Sequence, residues 1–129
     1  MILDTGVLVR SERGTGGLSA FLDDGDDVAI AAVTVAELQL GVELADSARH
    51  ERRQEFVEGV LALLPVEEYT ADTARVHARL PAHVRRAGKP RGAHDLLVAA
   101  TGAATARAVV TTDGAAAFGD LPGVRVLLL

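Results

Sequence analysis

Four of the 18 acidic residues fall where carboxylates could work together. Asp4 ends the apolar Ile2-Leu3, and Asp113 follows Ala108-Val109-Val110-Thr111. Glu37 comes three residues after Thr34, a candidate helix N-cap, and Asp95 opens a stretch of small apolar residues. If the apolar runs are parallel strands, all four acids sit at one edge of the sheet, because a strand's C-terminus adjoins the next helix's N-terminus. Carboxylates brought that close raise one another's proton affinity unless a positive charge sits among them. A hard divalent cation resolves the repulsion. An all-oxygen donor set in a chain without cysteine suits Mg²⁺ or Mn²⁺ rather than structural zinc. Such a centre can hold a water as nucleophile and clamp a phosphate, which makes metal-dependent phosphoryl chemistry the functional reading. The alternative is plain complementation of helix dipoles, worth about 0.3–1 kcal/mol at Glu37 and at Asp95. It leaves the arrival of Asp4 and Asp113 at the same edge to coincidence.

The elements that must position these acids follow from apolar periodicity. Residues 2–3 form a short strand. After the flexible Gly14-Thr15-Gly16-Gly17, residues 18–22 suit one or two helical turns. The continuous apolar run 28–33 predicts a strand covered on both faces. Thr34 with Glu37 makes a capping box, predicting a helix from there to about residue 44, with Val35, Leu38 and Val42 inward. A helix follows over 47–64, with Phe56, Val57, Val60, Leu61 and Leu64 buried and Arg49, Arg52 and Arg53 on its polar side. Pro65 ends it, and 66–69 reads as a strand. Thr70 caps a third long helix burying Ala74, Val76, Leu80 and Val84, in which Pro81 predicts a break or kink. Residues 93–106 predict a close-packed helix, and 108–111 and 124–128 two further strands. Strands alternating with helices imply an α/β sandwich around a mainly parallel sheet.

The chain has 129 residues, 49% of them hydrophobic, and a net charge of −5. That length predicts one domain over 1–129, with a core that needs no staples. The hydrophobic share excludes intrinsic disorder. Without cysteine there is no disulfide, thiolate–zinc site or cysteine nucleophile, which fits a reducing cytoplasm. No apolar run reaches the roughly 18 residues of a membrane helix. Asp4 interrupts any leader at once, so the expected location is cytoplasmic, with no membrane partner. An acidic balance argues against a simple nucleic-acid coat protein.

The charge is uneven, however. Between Asp72 and Asp95 there is no acid, while Arg75, Arg79, Arg85, Arg86, Lys89 and Arg91 crowd the stretch. Such a stretch can track an RNA backbone, or it can be a solvated helix face or a seat for an acidic partner segment. Arg86, Lys89 and Arg91, just before Asp95, and Arg10, soon after Asp4, are the candidate RNA contacts; Arg79 is assigned to the surface. His94 adjoins Asp95, but consecutive helix positions lie about 100° apart, so its ring is expected to face elsewhere. Asp23-Asp24-Gly25-Asp26-Asp27 lacks the closing glutamate of an EF-hand and reads as a solvated turn. With 3% aromatic residues, RNA would be read by shape and phosphates rather than by stacking.

Taken in order, the motifs resemble those of PIN-domain nucleases. Ile2-Leu3-Asp4-Thr5 is similar to the family's opening hydrophobic-hydrophobic-Asp-Ser/Thr. Val33-Thr34-Val35-Ala36-Glu37-Leu38-Gln39-Leu40-Gly41 is similar to its second motif, with a glycine four residues after the Glu. Asp95-Leu96-Leu97-Val98-Ala99-Ala100 is similar to Asp-x-Leu-Ile-Ala-Ala, and Thr111-Thr112-Asp113 with Phe118 to Thr-x-Asp and its nearby Phe. Order, spacing and length resemble the VapC-type toxins of prokaryotic toxin–antitoxin pairs. The resemblance implies a PIN-like three-layer α/β/α sandwich and Mg²⁺- or Mn²⁺-dependent RNA cleavage, with tRNA or rRNA as target. It implies a VapB-type antitoxin as partner and a homodimer. Asp4, Glu37, Asp95 and Asp113 would be the metal-binding and catalytic acids, and Thr5 and Thr111 supporting hydroxyls. The chain departs from many relatives at Gly6, Ala93 and Ala117, where small polar or acidic residues are common. That leaves the minimal four acids, suited to one metal rather than two.

Three rivals fit less well. A phosphoacceptor signalling module needs paired acids after its first strand and a lysine on a late strand. Asp4 stands alone, and Lys89 falls in a loop. A haloacid-dehalogenase-type phosphatase needs Asp-x-Asp, and position 6 is Gly6. A catalytically inactive PIN domain used only for binding would not be expected to keep all four acids.

Overall fold

The structure, a computed structural model, describes residues 1–20, 22–88, 90–113 and 118–129. Five short strands occur in it: β1 (Ile2–Leu3), β2 (Ile30–Ala31), β3 (Val66–Glu67), β4 (Val109–Thr111) and β5 (Val126–Leu128). Five helices join them: α1 (Thr5–Arg13), α2 (Ala32–Glu43), α3 (Ser47–Leu63), α4 (Ala71–Ala87) and α5 (Ala93–Ala104). Every strand pair is parallel. β4 lies between β1 and β5, with Leu3 opposite Val110 and Val110 opposite Leu127. β2 pairs with β3, and a parallel bridge from Ile2 to Ala29 joins the two groups. The spatial order is therefore β3-β2-β1-β4-β5, and the chain reverses direction of travel across the sheet between β1 and β4.

Alternation along the strands builds two cores. Ile2, Ala29, Ala31 and Val109 face one way, into a cluster with Leu80, Leu96, Ala99 and Phe118. Leu3, Val28, Ile30 and Val110 face the other, into a cluster with Val7, Leu8, Leu38, Val42, Val57 and Val60. A period of two in a sheet covered on both sides demands helices on both faces. The α4–α5 pair covers one, and α1, α2 and α3 the other. The predicted α/β/α sandwich is the observed architecture.

Three local expectations change. The apolar run at 28–33 is strand only to Ala31; helix α2 starts at Ala32, without a side-chain cap. A continuous apolar run fits a buried strand and a buried helix start equally well. Thr34 is thus not a cap but a wholly buried residue of the first turn, its hydroxyl without a partner. Pro81 does not break α4, which runs unbroken from Ala71 to Ala87. Its neighbour Leu80 is fully buried in the cluster with Leu96 and Ala99, so packing outweighs the lost backbone bond. The capping role of Thr70 is as expected: its Oγ1 accepts from Thr73 N at 3.3 Å. Among the described residues, no helix is long and apolar enough to cross a membrane.

Candidate active site

The reversal between β1 and β4 opens a crevice at the carboxyl ends of the strands, the place where such sheets bind ligands. Asp4 follows β1 and N-caps α1, its Oδ1 accepting from Thr5 N at 2.8 Å. Its Oδ2 accepts from the Thr111 hydroxyl at 3.0 Å. The same Thr111 Oγ1 accepts from Asp113 N at 3.1 Å. Thr111, the buried last residue of β4, therefore ties two of the four acids together across the central strand pair. Asp95 is in the first turn of α5, as predicted. Glu37 is in the second turn of α2, one turn deeper than predicted, because the helix starts earlier.

The four acids share one electrostatic environment. Burial pushes the Asp4 carboxyl above the usual range, and the neighbouring Asp113 adds to the rise, against the bonds from Thr111 and Thr5. Asp95 is pushed up by burial and then by Asp4 and Asp113. Glu37 is raised by burial, with smaller contributions from Asp4 and Asp95. Among the described residues, no arginine or lysine pairs with any of the four. The Thr5 hydroxyl is buried without a geometrically complete hydrogen bond, and its nearness to Glu37 partly offsets the rise there.

His94 is the group that sequence reasoning misplaced. Its Nδ1 stands 3.8 Å from Glu37 Oε2, with the imidazole more than half exposed. Its adjacency to Asp95 was the available signal. A turn of about 100° separates the two Cα–Cβ directions, yet both side chains flank the same crevice. Two glycines also shape the site. A Cβ at Gly92 would stand 3.1 Å from Asp95 Oδ2, and one at Gly6 3.0 Å from Thr112 Oγ1. The departure from the family pattern at position 6 thus relieves crowding beside Asp4.

The candidate RNA contacts are dispersed. Arg91 donates from Nη2 to the Gly119 carbonyl at 3.3 Å, tying the approach to α5 to the chain beyond Asp113. Arg10 on α1 and Arg86 in the last turn of α4 are exposed, and among the described residues no side-chain bond joins them to the acids. Lys89 lies outside the described residues, as does Ala117.

The model of the PIN domain matches residues 1–121. This chain belongs to the PIN-domain family. It is 37% identical over 116 residues to Ribonuclease VapC5 of Mycobacterium tuberculosis, covering 87% of this chain and 82% of that one. It is 34% identical over 98 residues to the tRNA(fMet)-specific endonuclease VapC of Salmonella typhimurium, covering 75% and 71%. Its fold matches the crystal structure of VapBC-5, a member of the VapBC family of toxin–antitoxin systems from Mycobacterium tuberculosis. That match has a TM-score of 0.80 at 30% identity and covers 99% of this chain and 97% of that one.

Within this PIN domain the donor set fits a hard cation by its chemistry: four carboxylates, a buried unpartnered hydroxyl and no pairing arginine or lysine among the described residues. Among the described residues, no three acidic or imidazole side chains yet converge closely enough to hold an ion.

Proposed function

We propose that the chain is a cytoplasmic endoribonuclease of the VapC type, one PIN domain acting as the toxin of a toxin–antitoxin pair. A VapB-type antitoxin would neutralise it, and it would work as a homodimer on a structured RNA such as tRNA or rRNA. The observation that supports the reading is that burial and neighbouring acids raise the proton affinity of Asp4, Glu37 and Asp95 at the carboxyl edge of the sheet, with Asp113 beside Asp4 and Asp95, and that none of the four pairs with an arginine or lysine among the described residues.

Asp4, Glu37, Asp95 and Asp113 would hold Mg²⁺ or Mn²⁺. When bound, such an ion offsets phosphate charge and lowers the proton affinity of water for in-line attack on a phosphodiester, leaving a 5′-phosphate and a 3′-hydroxyl. The protein's own groups supply position. Thr111 fixes the orientation of Asp4 and the backbone at Asp113. Gly92 leaves room for the Asp95 carboxylate. Arg91 holds the backbone at Gly119.

The test is cleavage of total RNA by the purified protein, with 5′ ends mapped by sequencing. Cleavage is expected with Mg²⁺ or Mn²⁺ and none in excess EDTA, and expression without an antitoxin should arrest growth. Full cleavage in EDTA would refute the metal-dependent reading.

A further inference from the structure

The basic stretch most visible in the sequence is on α4, in the helical layer across the sheet from α1 and α3, where Arg75, Arg79, Arg85 and Arg86 are all exposed. A different set of cations lines a groove of about 780 Å³ between α1 and α3: Arg13 at the end of α1, and Arg49, Arg52 and Arg53 in α3. Only Glu12 and Glu55 oppose them along its walls. The sequence pattern assigns Arg49, Arg52 and Arg53 simply to a solvated face. Folding instead turns that face toward the end of α1, 36 residues away in the chain counted from Arg13 to Arg49.

Two observations connect the groove to the acids. It shares Glu12, Arg13, Arg53 and Phe56 with a smaller cavity of about 200 Å³, and that cavity is also lined by Thr5 and Glu37. The groove therefore leads to Glu37, one of the four acids, and to Thr5 beside Asp4. Its arginines are also available. Arg53 is steadied by one bond, Nη1 to the Gly41 carbonyl at 3.0 Å. Among the described residues, the side chains of Arg13, Arg49 and Arg52 have no ion pair or hydrogen bond. A guanidinium carries five donors in a planar fork that matches phosphate, so three such groups without protein partners are held ready for an anion rather than used in the fold.

We propose that the α1–α3 groove is the track for the RNA backbone, with Arg13, Arg49, Arg52 and Arg53 binding successive phosphates of a strand whose scissile bond lies at the carboxylates. The proposal rests on the ribonuclease reading above and names where its substrate lies. Four phosphate contacts on a single strand predict a slope of log K against log salt of about −3, at about 0.7 per contact. The half-buried Phe56 at the junction offers one apolar surface beside the track.

The test is fluorescence anisotropy of a labelled oligouridine of about a dozen nucleotides, in EDTA, across a salt series. Arg49→Ala/Arg52→Ala should weaken binding by about tenfold or more at low salt and reduce the slope by about 1.4. Arg52→Ala should weaken it more than Arg79→Ala on α4, which should bind as the wild type does. Equal binding and slope in the double variant would overturn the proposal. So would loss of binding to an oligo-aspartate peptide with RNA binding retained, which would make the groove a protein site. Because binding is read without metal, failure of cleavage leaves this result standing. Cleavage by a double variant whose RNA binding is unaltered would sink the track and spare the nuclease.

Discussion

The two ends of the sheet treat their acids in opposite ways. On the amino-terminal side, Arg107, just before β4, donates from Nε and Nη2 to the two carboxylate oxygens of Asp27, both at 2.9 Å. Its Nη1 reaches Glu67 on β3, and the Met1 amino group donates to the Asp27 carbonyl. One guanidinium thus ties together the loop before β2, strand β3 and the entry to β4. The Arg107 bonds hold the Asp27 carboxyl below its usual range. On the carboxyl side, the same sheet collects Asp4, Glu37 and Asp95, raises all three, and gives none an arginine or lysine among the described residues. The amino end is complete as a fold. The carboxyl end keeps raised carboxylates without a cationic side chain, the kind of perturbation that clusters at functional sites and that the proposed cation would relieve.

The sharpest way to break this contrast is to remove charge at the carboxyl end. Asp95→Asn should lower RNA cleavage by more than about 100-fold, beyond what loss of a ligand's supporting partner costs. The same change should raise the melting temperature of the metal-free protein, because it deletes a half-buried charge that Asp4 and Asp113 repel. Loss of cleavage together with a lower melting temperature would mean the carboxylate is structural. Next comes Thr111→Val, which keeps the shape and deletes the hydroxyl that holds Asp4 and the Asp113 backbone. A fall of about 10–100-fold in cleavage is expected, with secondary structure unchanged by circular dichroism. Activity within about twofold of wild type would show that Asp4 needs no such support.

Much of this contrast was legible before the fold was known, and the exceptions have physical causes. Strand alternation at Ile2-Leu3 and Val109-Val110 already separates the two cores. Asp4, Asp95 and Asp113 are placed by the rule that strand ends meet helix starts. Helix α1 is not announced by periodicity: Val7, Leu8 and Ser11 are its only buried residues among the nine, and Thr5, Gly6 and Val9 are weak helix formers. The start of α2 is hidden inside a continuous apolar run, which displaced Glu37 by a turn. The Arg107 clamp and the α1–α3 groove are out of reach for a different reason. Their members are distant in sequence, and no local pattern encodes which arginine meets which acid.

A smaller effect separates the two ends by pH. Asp4, Glu37 and Asp95 hold their protons to higher pH when folded than when unfolded. The metal-free protein therefore gains stability from them as pH falls through their raised range, since the folded state then binds more protons. Asp27 has the opposite sign: its contribution is present above the ordinary carboxylate range and is lost only as pH falls below it. If the proposed ion binds there, protons would compete with it at Asp4, Glu37 and Asp95 but not at Asp27. The rise in melting temperature produced by Mg²⁺, which reflects about 2.7 kcal/mol at a hundredfold excess over Kd, should shrink as pH is lowered from about 7.5 to about 5. Thermal melts with and without Mg²⁺ across that range read the effect directly, and a shift independent of pH would place the ion elsewhere.

The smallest expected change in activity comes from the amino end. Arg107→Ala removes every bond that guanidinium makes while leaving the carboxylate crevice, at the opposite end of the strands, with its own contacts intact. The Arg107 side chain is only 19% exposed, so its loss also strips packing and leaves the half-buried Glu67 without its partner. The melting temperature should drop by several degrees, and cleavage at a temperature well below the transition should stay within about twofold of wild type. Adding Glu67→Gln to Arg107→Ala should recover part of the lost stability, because a half-buried amide tolerates the missing arginine better than a carboxylate does. If the single variant instead loses cleavage while remaining folded, the two ends are coupled through β4. The clamp would then be part of what positions Asp113, and the division between a structural end and a chemical end would fail.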